Sequence, residues 1–112
     1  MIIAALEAGS GRAPDVVAGK PELGLLDIIA AASAGPKGLE RSRTCMIGDR
    51  LNTDILFGNT GGLGSTLLVL TGVSSLKEVA ALPPGDPHCP THTVSSLGDI
   101  ARLLQLAGWS AP

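Results

Sequence analysis

The stretch Ser65–Leu70, "STLLVL", constrains the fold more than any other part of this sequence. Its apolar residues are continuous rather than alternating. A half-buried strand alternates, whereas an unbroken apolar run needs cover on both faces. The turn Thr71-Gly72-Val73-Ser74 follows at once. Ser75 then stands three residues ahead of Glu78, the spacing of a reciprocal N-terminal cap, which predicts a helix over Leu76–Leu82. A doubly covered strand followed directly by a capped helix is the repeating unit of a parallel α/β layer.

The neighbouring segments extend that unit. Asp15–Ala18 reads as a short buried strand or extended segment closed by Gly19-Lys20-Pro21. Leu25, Leu26, Ile28, Ile29 and Ala32 recur at helical spacing, with Pro21 and Glu22 suited to the first turn and Gly35-Pro36 as the stop. Lys37–Arg43 is a polar connector, and Thr44–Ile47 is a strand leaving through Gly48-Asp49. Asn52 or Thr53 is placed to cap a short helix running to about Asn59. His92–Val94 reads as a strand, and Ser96 with Asp99 caps a last helix, Leu97–Leu106, ended by Gly108. Residues 1–13 are expected to be a weakly ordered N-terminus, 14–107 the folded part and 108–112 a frayed tail. The expected class is α/β, with parallel strands, flanking helices and right-handed crossovers.

Composition narrows the function. With 112 residues, the chain suits one domain. Hydrophobic residues make up 45% and charged residues 16%, a globular balance. A net charge of −2 gives no reason to expect nucleic acid or an anionic membrane as partner. Phe57 and Trp109 are the sole aromatics, too few for a base-stacking platform. No apolar run reaches the roughly 18 residues of a membrane span. The start has no basic region ahead of its apolar stretch, so no signal peptide is expected. Cys45 and Cys89 make no disulfide framework, and the default setting is cytoplasmic.

Ligands of parallel α/β sheets sit beyond the C-terminal ends of the strands. The expected strands put Lys20 and Asp49 there. Asp54 follows five residues after Asp49 in "IGDRLNTD". Two carboxylates so placed suit Mg²⁺, which takes hard oxygen ligands, and a lysine beside them suits a phosphate. The same residues also fit a plainer account, in which Gly48-Asp49 is a turn and Asp54 solvates a helix N-terminus.

"TCMIGDRLNTDILFG" followed by "GGLGSTLLVLTGVSS", with "VVAGKP" upstream, resembles the C-terminal part of the haloacid dehalogenase (HAD)-like hydrolase superfamily. More narrowly it resembles the 4-nitrophenylphosphatase and phosphoglycolate phosphatase group, over about Pro14 to Leu104. The resemblance implies a Rossmann-like core and hydrolysis of small phosphomonoesters through an aspartyl-phosphate, with Mg²⁺ as cofactor. It implies that Lys20 steadies the phosphoryl group and the nucleophile, that Asp49 ligates Mg²⁺, and that Asp54 supports the metal's water shell. Arg50 and Asn52 lie in the motif, and Asn52 is placed to orient metal-bound water. "LTGVSS" matches a structural turn. The partner implied is a small phosphate ester, with a homo-oligomer possible.

The superfamily's nucleophile lies in an Asp-x-Asp motif after the first strand. The aspartates here are Asp15, Asp27, Asp49, Asp54, Asp86 and Asp99, and no two are two apart. The Ser or Thr of the second motif and the substrate-choosing cap have no counterpart either. A fragment of a hydrolase is therefore expected, lacking its first core strands and inactive alone. The alternative is a non-catalytic remnant that binds another protein through the strand edge left exposed at Thr44–Ile47.

Other signals read as structural. Gly61-Gly62-Leu63-Gly64-Ser65 precedes a strand and lacks the Lys-Ser/Thr of a phosphate loop, so packing and turns account for it. "PHCPTHT" brings His88, Cys89 and His92 together with no second cluster, which reads as a solvated loop. Cys45 reads as a buried, inert thiol. Arg41 and Arg43 read as connector solubilisers, and Leu103, Leu104 and Leu106 as core.

Overall fold

A computed structural model describes residues 2–33 and 38–109. The elements run α1 (Ile2–Ser10), α2 (Gly24–Ala32), a 3₁₀ turn (Arg41–Arg43), β1 (Cys45–Gly48), a π turn (Leu51–Ile55), α3 (Leu56–Thr60), β2 (Ser65–Val69), α4 (Leu76–Ala80), β3 (His92–Val94) and α5 (Leu97–Leu106). The three strands form one parallel sheet in the order β1-β2-β3. Gly48 lies opposite Leu68, and Leu68 opposite Thr93. The apolar run that begins at Ser65 is thus the central strand. Its middle residues Thr66, Leu67 and Leu68 are buried, as a strand covered on both faces requires.

The core is small and sits under the end of the sheet that carries the candidate site. Leu51, Ile55 and Leu68 are its buried members, with Leu70, Val79 and Leu82 packed against them. Full burial of Ile55 and Leu68 contributes about 1.5–3 kcal/mol each. Leu26 anchors α2: a methyl on Gly61 would lie 2.5 Å from its Cδ2. Arg41 holds the same junction, pairing with Asp27 at 2.5 Å and donating to the Gly61 carbonyl at 3.1 Å. Gly61-Gly62-Leu63-Gly64 is therefore a packing turn. Gly62 has a φ of +68°, and a Cβ on Gly64 would strike the Ser42 carbonyl oxygen at 2.0 Å. At the opposite end of the sheet, Asn59 donates to the carbonyls of Pro87 and Cys89 and accepts from the buried Thr66 hydroxyl. It fastens the proline-rich loop to β2.

Both capping boxes are present, Ser75 with Glu78 and Ser96 with Asp99. Several expectations fail. Residues 15–18 form no strand: among the described residues no neighbouring strand pairs with them, and Val16 is 79% exposed. Residues 19–22 close a turn from the Glu22 N–H to the Gly19 carbonyl, so α2 begins at Gly24 rather than at Pro21. An α-helix occupies Ile2–Ser10, where no element was assigned, and it buries none of its residues. Neither Asn52 nor Thr53 caps a helix; the π turn starts from Arg50 without a side-chain cap. Cys45 is exposed because β1 is an edge strand among the described residues, and Ile47 beside it is 44% exposed. Leu103, Leu104 and Leu106 are exposed as well, since nothing among the described residues covers that face of α5. The stop assigned to Gly35-Pro36 lies outside the described residues.

Candidate active site

The site begins where β1 ends. Parallel pairing carries β1 and β2 out of the sheet side by side, so the loop after Gly48 meets the turn after Leu70. Asp49 stands in the first loop. Its Oδ2 accepts the Val73 N–H at 3.0 Å, and its carbonyl accepts the Ser74 N–H at 2.9 Å. Its Oδ1 accepts no hydrogen bond among the described residues. Gly72 is needed for this approach, because a Cβ there would lie 2.0 Å from Asp49 Oδ2 and 2.3 Å from its Cβ.

Asp54 sits one turn further on and is only 5% exposed. The π turn directs it back against the end of β1, where a Cβ on Gly48 would fall 2.3 Å from the Asp54 Cβ. Its charge is answered twice. Lys20 Nζ lies 2.5 Å from Oδ1, and the Arg50 N–H donates to Oδ2 at 3.2 Å. Burial of a carboxylate needs this kind of pairing with further hydrogen bonds. Lys20 arrives from the turn ahead of α2, not from a strand end as expected. Its side chain remains 41% exposed, whereas that of Asp54 is 7% exposed. Arg50 and Asn52 are exposed, and their side chains make no hydrogen bonds among the described residues.

Lys20, Asp49 and Asp54 are thus gathered at the C-terminal end of β1, although the strand expected to deliver Lys20 is absent among the described residues. Sequence reasoning missed the residues that hold them there: Gly48, Gly72, Val73 and Ser74. The glycines were visible in "IGD" and "LTG", but their contacts lie six and 23 positions away. The His88–Cys89–His92 loop takes no part. His88 donates its backbone N–H to Asp86 Oδ1 and places Nδ1 2.6 Å from the same oxygen. These two bonds, with the His88 charge, hold the Asp86 carboxyl below its ordinary range.

The donor chemistry matches a hard cation in part. Asp49 offers a partly exposed carboxylate with one oxygen that accepts no hydrogen bond among the described residues, the kind of ligand Mg²⁺ takes alongside water. Asp54 is already committed to Lys20 and Arg50, so it fits a supporting place. Among the described residues no three of His, Cys, Asp and Glu cluster as a closed metal site.

The chain belongs to the HAD-hydrolase-like family, whose model matches residues 17–100. It is 41% identical over 104 residues to phosphoglycolate phosphatase 2 of Arabidopsis thaliana, covering 93% of this chain and 32% of that protein. Its fold superposes on a 4-nitrophenylphosphatase from Thermotoga maritima with a TM-score of 0.71 at 34% identity, covering 90% of this chain and 35% of the other. A glycerol phosphate phosphatase from Mycobacterium tuberculosis, solved in complex with magnesium, gives a TM-score of 0.68 at 33% identity, covering 88% and 27%. The chain spans about a third of the length of the relatives it matches. The three-stranded parallel sheet with its helices is accordingly a partial Rossmann-like HAD core.

Proposed function

We propose that this chain is the phosphate- and metal-holding part of a Mg²⁺-dependent phosphomonoesterase acting on small phosphate esters of the 4-nitrophenyl phosphate or 2-phosphoglycolate type. The observation that carries the reading is the convergence of Lys20, Asp49 and Asp54 at one strand end, 34 residues apart at the widest. The names of the relatives and the magnesium complex of a neighbour support it.

Each residue has a distinct task in this reading. Asp49 presents Oδ1 as a hard ligand. Asp54 fixes Lys20 and takes the place of a water-orienting acid. The Lys20 side chain, partly exposed, offers its ammonium to the phosphoryl oxygens as a point charge. Bound Mg²⁺ supplies charge neutralisation on the transferring phosphoryl group. The attacking carboxylate of an aspartyl-phosphate mechanism belongs to an Asp-x-Asp motif, which this sequence does not contain. Hydrolysis therefore depends on a segment that carries one.

Phosphate release from 4-nitrophenyl phosphate in the presence of Mg²⁺ tests the proposal. The chain alone is expected to release none above background. Joined behind the part of the Thermotoga maritima relative that precedes the matched region, it is expected to turn over. Turnover by the chain alone, or a correctly folded but inactive joined protein, would contradict it.

A second reading rests on β1. Its outer edge has no neighbour among the described residues and exposes Ile47 and Cys45. An open apolar edge is a template for pairing with another chain. In this reading the chain acts by binding rather than by catalysis, a homo-oligomer being one form. A stable monomer by size-exclusion chromatography with multi-angle light scattering would count against it.

A further inference from the structure

We propose that Ser74 is a positioning residue for Asp49, an inference that rests on the metal-holding reading above. Ser74 is buried and lies in the turn between β2 and α4. It grips the acid-bearing loop at two points. Its N–H donates to the Asp49 carbonyl at 2.9 Å, and its hydroxyl accepts the Leu51 N–H at 3.2 Å. Leu51 opens the π turn, so its N–H has no partner within that turn. The Arg50 N–H between them is taken by Asp54. The backbone from Asp49 to Leu51 is thus held on one side by the buried acid and on the other by Ser74.

The consequence concerns the direction of the Asp49 carboxylate. Val73, the residue before Ser74, donates to Oδ2, while Gly72 leaves the space that Oδ2 occupies. With Oδ2 engaged by Val73, Oδ1 is the oxygen left for a cation. Loss of the Ser74 hydroxyl strands the buried Leu51 N–H. That amide then finds an acceptor only if the loop opens towards water, which draws Asp49 away from Val73. Ser74 therefore acts on the cation through Asp49, in the way hydrogen-bonded outer residues orient metal ligands.

The test uses Mn²⁺ as a paramagnetic probe of the Asp49 site in ¹⁵N–¹H spectra of the full chain, and it needs no catalytic activity. In the unsubstituted chain, low Mn²⁺ is expected to broaden the Asp49 and Val73 amide signals first. Ser74→Ala is expected to need about tenfold more Mn²⁺ for the same broadening. Ser96→Ala, which removes the cap of α5 far along the chain, serves as the control for general destabilisation and is expected to leave the Mn²⁺ requirement unchanged. Equal requirements in Ser74→Ala and the unsubstituted chain would overturn the role of Ser74 while sparing the metal reading. So would an equal rise in Ser96→Ala. If Mn²⁺ leaves the Asp49 and Val73 signals of the unsubstituted chain untouched, the metal reading falls, and this inference with it. Should Ser74→Ala fail to fold, Ser74→Thr, which keeps the hydroxyl, is expected to hold the unsubstituted Mn²⁺ requirement, and a tenfold rise there would overturn the proposal.

Discussion

The Lys20 ammonium meets the Asp54 carboxylate at 2.5 Å, joining an exposed turn ahead of α2 to an acid buried at the end of β1. One partner is almost wholly removed from water and the other is not. The contact therefore serves both to compensate a buried charge and to hold a cation at the mouth of the site.

That asymmetry predicts the effect of breaking it. Lys20→Met leaves the buried Asp54 carboxylate with the Arg50 N–H as its remaining partner among the described residues. The expected loss is about 1–2 kcal/mol, below the figure for a fully buried pair because Lys20 remains partly solvated. Asp54→Asn, which removes the charge instead of stranding it, is expected to cost less. Urea denaturation of the two variants checks the order.

Gly48→Ala places a methyl 2.3 Å from the Asp54 Cβ, an atom fixed close to the backbone. The end of β1 must separate from the π turn, at a cost of about 1–3 kcal/mol. Gly98→Ala, where the nearest atom is the Ser96 hydroxyl oxygen at 3.5 Å, is expected to be tolerated. Thermal unfolding of the two proteins separates them.

The cap of α4 is expected to fail in acid. The Ser75 backbone N–H, followed by its hydroxyl, holds the Glu78 carboxyl below its ordinary value of 4.5. A lowered folded-state pKa means stability that is fully present above 4.5 and is lost as pH falls through the folded value. Hydrogen exchange at the Glu78 and Val79 amides should accelerate there beyond the intrinsic pH effect. Glu78→Gln should show no such step.

The Asn59 clamp is expected to be a structural determinant away from the site. Asn59→Leu removes the Oδ1 acceptor of the buried Thr66 hydroxyl, leaving it the longer contact to Thr91 Oγ1 at 3.3 Å, and frees the carbonyls of Pro87 and Cys89. A loss of about 1–3 kcal/mol is expected. Increased proteolysis within residues 83–91 would show that the loop, rather than the candidate site, has been released.

These cases show what was legible in the sequence. The capping boxes at Ser75 and Ser96 were, because donor and acceptor lie three residues apart. The strand at Ser65 was, because its apolar run is a one-dimensional signal. The acid pair was placed by spacing and Lys20 beside it by the rule that strand exits share one end of the sheet, while the separate roles of the three came from the resemblance. Gly72 and Ser74 were not legible as supports of Asp49, because their contacts depend on two strands leaving the sheet side by side. The strand expected at residues 15–18 and the core expected at Leu103 and Leu106 share one cause. Apolar sequence shows that burial is favourable, but it does not supply the neighbour that buries it.

The central claim is that Asp49 is the chain's ligand for the catalytic cation. Its most direct test is the Mg²⁺ dependence of 4-nitrophenyl phosphate turnover in the joined protein, with and without Asp49→Asn. The account predicts Mg²⁺-dependent turnover that falls at least about 100-fold on Asn substitution, a loss of more than about 2.7 kcal/mol of transition-state stabilisation. Turnover that keeps its rate and its Mg²⁺ dependence in Asp49→Asn would contradict it.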